Sequence, residues 1–150
     1  MKPFHLLFPE LAQREVRCVH VGPSEDQLAD QMLPADEYVY VEFYCDDLQC
    51  DCRRVLLQVI SKTNPDEAYA WITFGWEKER FYRNLMPEDP EYVRATILGD
   101  LDPALEQSEQ ADAFLVLFKK YVLDEPYRMR LRRHYRMFRE EAARRAAAEG

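Results

Sequence analysis

Two hydrophobic rhythms divide the chain. In the first half apolar and polar residues alternate, the period of a strand with one buried face. In the second half apolar residues recur every three or four positions, the period of a helix. Tyr38-Val39-Tyr40-Val41-Glu42-Phe43-Tyr44 is the strongest strand, and its set Val39, Val41 and Phe43 is expected to face the core. Residues 53–61 read the same way, with Val55, Leu57 and Val59 on one face. So do residues 68–76, with Ala70, Ile72 and Phe74 on one face. Residues 15–21 are β-branched and mixed, and form a further strand. Asn64-Pro65-Asp66 supplies turn chemistry between the last two strands. Residues 23–34 make a polar connection with a helical turn over 26–32. Short connections between successive strands favour an antiparallel β-meander of three to four strands.

The helical half is punctuated by caps. Residues 77–86 read as a helix stopped before Pro87. Asp89-Pro90 and Asp102-Pro103 each set a capping carboxylate before a proline at the first helical position, and Gly99 suits the end of the helix between them. Residues 111–123 form an apolar helix with Phe114, Leu117, Phe118 and Tyr121 near one face. Asp124 and Pro126 open the last helix, whose stripe is Tyr127, Leu131, His134/Tyr135 and Phe138. Residues 139–150 hold mostly Ala, Arg and Glu, and are expected to project into solvent or fray. Strands first and helices afterwards give an α+β class: one domain over 1–150, the meander packed against C-terminal α-helices on one face.

Composition places the chain among globular proteins, with 47% hydrophobic and 32% charged residues, and 150 residues are enough to bury a core without staples. No apolar run approaches a membrane span, and the first residues lack a signal-peptide pattern, so a reducing cytoplasm is expected. The net charge of −8 is uneven. After Asp124 stand eight arginines and four glutamates, a net of +4, which leaves 12 basic against 24 acidic groups before it. The acidic body disfavours a nucleic-acid partner, and the basic helix is expected to dock on that body.

The densest chemistry is Cys45-Asp46-Asp47-Leu48-Gln49-Cys50-Asp51-Cys52-Arg53-Arg54. Cys45 ends one strand, Cys52 begins the next, and Cys50 lies in the turn, so a tight hairpin tip brings three sulfurs together. In a reducing compartment such thiols are metal ligands or reactive groups, not disulfides. Zinc is the leading ion because it suits thiolates and needs no redox machinery. The fourth donor is left among a histidine, a carboxylate (Asp46, Asp47 or Asp51) and water. Cys18 is argued out: with Val21 opposite Tyr38 it would face Val41, on the order of 13 Å from Cys45. It is expected to be a small buried filler. His20 shares that distance, His5 can reach the tip, and His134 is expected to be packed. The alternative is thiol chemistry, in which Arg53 and Arg54 lower a thiol pKa. Yet the redox signature is C-x-x-C opening a helix, and here C-x-C opens a strand.

No phosphate-cradling glycine loop, H-E-x-x-H or G-x-S-x-G is present. Tyr38, Tyr40 and Tyr44, with Tyr69 and Trp71, form a second aromatic set expected to pack beneath a helix. The stretches 33–45 and 50–55, the opening Phe4-His5-Leu6-Leu7-Phe8-Pro9-Glu10 and the late Arg133-His134-Tyr135-Arg136-Met137-Phe138 resemble an uncharacterised family of bacterial and archaeal proteins. That family is related to proteins carrying a C-terminal SEC-C type zinc-binding motif. This chain has no cysteine after Cys52, so the motif itself is absent. The resemblance implies that the cysteine triplet is a family feature, and implies no activity. The expected role is a non-enzymatic, zinc-binding interaction or adaptor module with a protein partner. The alternative is a thiol-based enzyme or redox-responsive protein.

Overall fold

The alternating segments pair as antiparallel strands in a computed structural model, which describes residues 1–23 and 33–150. The helical turn expected over 26–32 lies outside the described residues. The strands are β1 (Lys2–Pro3), β2 (Arg17–Val21), β3 (Asp36–Tyr44), β4 (Arg54–Ser61), β5 (Ala68–Gly75) and β6 (Asp100–Leu101). They form one sheet in the order β1-β3-β4-β5-β6, with β2 also pairing β3. The α+β class stands. Its centre is the expected meander β3-β4-β5, to which two two-residue strands add an edge at each side.

Register decides which face is the core, and it reverses the expectation for β3. Residues directly opposite one another share a face. Tyr40 lies opposite Val59, which lies opposite Ala70, and Glu42 lies opposite Leu57, which lies opposite Ile72. Tyr38, Tyr40, Glu42 and Tyr44 therefore join the buried face of β4 and β5, while Val39, Val41 and Phe43 are half-buried on the other. The tyrosines are large enough to fill the space under the helices. Tyr38 meets Phe114 at 4.7 Å between ring centroids, Tyr40 meets Phe118 at 5.8 Å and Tyr44 meets Phe138 at 5.8 Å. A bulge between Val59 and Ile60 brings Tyr69 into the same aromatic layer, whereas Trp71 stays half-buried beside Phe43. The register of β2 also differs from expectation: Val21 faces Asp36 and Cys18 faces Val39.

The helices are α1 (Pro9–Glu15), α2 (Glu79–Leu85), α3 (Pro90–Leu98), α4 (Ala111–Leu117) and α5 (Glu125–Glu149). Asp89 and Asp124 cap as their sequence implies, accepting from the backbone N–H of Tyr92 and Tyr127, and Gly99 ends α3 at φ 71°. No helix starts at Asp102. Its backbone N–H donates to Trp71, extending the sheet edge, and its carboxylate accepts from Ala104 and Tyr92, so it caps a turn instead. Beyond α4 one π turn spans Phe118–Val122; Phe118 and Val122 stay buried while Tyr121 turns out to solvent, against the expected buried face. Helices lie on both faces rather than one. The stripe of α5 packs on the tyrosine face, and α3 reaches the opposite face through Thr96 against Thr73 and Tyr92 against Arg54.

The N-terminal segment carries no strong period, yet it is pinned. Phe4 is buried and stacks on His134 at 4.2 Å. His134 is fully buried, with Nδ1 2.7 Å from Glu42 Oε1 and Nε2 2.7 Å from Glu15 Oε1. Tyr44 donates to Glu42 as well. A buried imidazole flanked by two carboxylates needs both contacts, because an unpaired charge there would be costly.

Candidate metal centre

The tip between β3 and β4 gathers the three cysteines. Their sulfurs lie within 4.8 Å of one another, with Cys52 buried and Cys45 and Cys50 half-buried. Around one zinc ion at about 2.3 Å per bond, tetrahedral sulfurs sit about 3.8 Å apart, so a small inward movement closes the triangle. Iron–sulfur clusters spread their cysteines more widely than a single ion does.

The loop is built by local turns and by distant clasps. Cys50 N–H donates to the carbonyl of Asp47, and the Asp47 carboxylate accepts from Gln49 N–H, which folds the four residues between Cys45 and Cys50. Arg139 of α5 then reaches across, donating to the carbonyls of Cys45 at 3.1 Å and Asp47 at 2.5 Å, and to that of Cys50. On the other side, Asp51 accepts from Tyr135 at 2.8 Å and from Arg53 at 2.9 Å. These bonds hold its carboxylate away from the sulfurs. Arg53 takes φ 44°, and both its backbone groups are held: its N–H by the Tyr135 hydroxyl, its carbonyl by the Tyr82 hydroxyl at 2.6 Å. Gly75 makes that last bond feasible, because a Cβ there would lie 2.1 Å from the Tyr82 oxygen.

Among the described residues, no histidine, carboxylate or fourth cysteine joins the cluster. Cys18, opposite Val39, is six residues along β3 from Cys45, on the order of 20 Å away. It is half-buried rather than buried. His134 is spent on two glutamates, Asp47 on its own turn and Asp51 on Tyr135 and Arg53. None of the described residues is therefore placed as a fourth ligand.

Two of the thiols, Cys50 and Cys52, are held against ionisation by their surroundings. Burial pushes Cys52 up to about 12, with Arg54 pulling against it and the charges of Cys50 and Cys45 adding to it. Burial, then Cys45, also raise Cys50. A redox nucleophile needs the opposite shift. A divalent cation held there would supply positive charge to three crowded sulfurs.

Sequence reasoning found the three cysteines and missed their supports. Arg139, Tyr135 and Tyr82 lie 29 to 94 residues from the groups they serve, and no short motif joins them to the cysteines or to Gly75. The proline stop before Pro87 and the alternation of β5 did mark the elements that carry Tyr82 and Gly75. Comparison with protein-family models, with curated proteins and with solved structures finds no match.

Proposed function

We propose that the protein is a non-enzymatic zinc-binding module in which Cys45, Cys50 and Cys52 hold one ion at the hairpin tip and so fix a surface for a protein partner. The observation that carries this reading is the approach of three sulfurs to within 4.8 Å in a loop clasped by Arg139. Thiolate donors favour zinc over harder ions. The raised Cys50 and Cys52 thiols weigh against either of these two serving a thiol enzyme as its nucleophile. The reading places the protein in the cytoplasm, where its thiols stay reduced, and keeps it with the uncharacterised bacterial and archaeal proteins its motifs resemble. Among the described residues, no helix is long and apolar enough to cross a membrane.

Elemental analysis of purified protein, paired with thiol titration, tests the proposal. The expected result is about one zinc per chain with three protected thiols that become reactive on chelation. Cys50→Ser should lower metal content and melting temperature together. Metal-free protein with one fast-reacting thiol, or Cys50→Ser with unchanged zinc content, would overturn it.

A further inference from the structure

Beside the cysteine tip, on the far side of its clasps, lies a second feature. A cleft of about 480 Å³ opens between the exposed side of α5 and the start of β4, within the size range of small-molecule sites. Trp76 and Tyr135 line it, their rings 5.3 Å apart. Arg132 and Arg136 line it from α5, one turn apart, which sets their Cβ atoms roughly 6 Å from each other.

These two arginines differ from the rest of the helix. Arg130 and Arg133 bind Glu15, Arg139 binds the cysteine loop, and Arg144 and Arg145 bind Glu141. Arg128 sits over the Phe74 ring. Arg132 and Arg136 have no hydrogen bond, ion pair or ring contact among the described residues. Two of the three acidic groups of the cleft already have a cationic partner. Asp51 and Glu77 both pair with Arg53, and Glu140 alone stands unpaired near Arg136. The cleft therefore presents two free guanidiniums beside an aromatic wall, in a chain whose net charge is −8. Guanidinium forks match the planar oxygen pairs of carboxylates and phosphates, and aromatic faces take flat carbon skeletons.

We propose that this cleft binds a small organic oxyanion, its phosphate or carboxylate head held between Arg132 and Arg136 and its flat apolar part laid against Trp76. The cleft shares Asp51, Arg53, Tyr135 and Arg139 with the supports of the cysteine loop, but Arg132 and Arg136, which carry the proposal, take no part in them.

Isothermal titration calorimetry of the full chain tests this with three probes: phenyl phosphate, benzoate and inorganic phosphate. Saturable binding is expected for phenyl phosphate or benzoate, and the stronger of the two identifies the head group. Inorganic phosphate, which has no ring, should bind more weakly than phenyl phosphate. The double variant Arg132→Gln/Arg136→Gln should weaken binding at least tenfold, with an unchanged melting temperature because both side chains are exposed. Arg144→Gln/Arg145→Gln removes the same charge from the same helix and should leave binding intact. No saturable heat with any probe overturns the proposal. So does an equal loss in the two double variants, which would assign the effect to diffuse charge.

Discussion

Arg53 shows how a single residue links fold and site. A left-handed backbone costs a non-glycine residue about 1–2 kcal/mol, and here it turns the chain from Cys52 into β4. Two tyrosine hydroxyls bond its backbone and hold it there. The cysteines themselves were legible because their spacing is a local fact. The clasps were not, because a tyrosine that holds a backbone group looks like any core tyrosine in the sequence. The Glu15–His134–Glu42 contact was invisible for the same reason: its members lie 92 and 119 residues apart. It yields a pH prediction. The hydrogen bond from His134, with help from Arg133 and against the effect of burial, holds the Glu15 carboxyl below its ordinary value. A lowered carboxyl stabilises the folded state fully above about pH 4.3, and that contribution fades as pH falls through the lowered value. Urea midpoints should therefore drop below pH 4.5 in the native protein, and Glu15→Gln should be less stable at pH 7 with a shallower acid limb. Parallel acid limbs in the two proteins would refute the role given to this pair.

At the scale of elements, period was readable and facing was not always so. Strands β4 and β5 bury the face their apolar residues named. Strand β3 buries the opposite face, because tyrosines that pack against helix rings outweigh a slightly more apolar set of valines. Helix α5 followed its stripe closely, with Tyr127, Leu131, His134, Tyr135 and Phe138 all buried. Leu131 is 0% exposed, so Leu131→Ala should cost about 2–5 kcal/mol. Residues 143–150 are exposed throughout, and removing them should change stability by less than about 0.5 kcal/mol. Arg139 stands apart from that end because it holds three carbonyls of the cysteine loop. Chemical unfolding of the two variants and of Arg139→Ala would rank them. A truncation more damaging than Leu131→Ala would assign the last turns a contact that the fold does not show.

For the whole molecule, the α+β class followed from the change of period, while the missing helix at Asp102 and the crossing of α3 to the far face did not, since nothing local tells a helix which side of a sheet to take. The cysteine tip joins β3, β4 and α5, so an ion bound there bears on the whole fold. A ligand that binds only the folded state raises stability with its concentration. Chelation should therefore lower the melting temperature cooperatively, while far-ultraviolet circular dichroism below the transition stays nearly unchanged, because the sheet has a core of its own. A chelated protein that loses its secondary structure at 20 °C would show the tip to be a folding nucleus instead.

The anchoring of the N-terminus has a consequence for synthesis. Residues near the front of the chain leave the ribosome first, at about 5–20 residues per second. Yet Phe4 and Glu15 find their partner, His134, only when the final helix emerges. Strand β1 likewise has no mate until Phe43 and Tyr44 are made. The segment 2–15 thus begins to pair once β3 is made and completes its packing only when α5 docks.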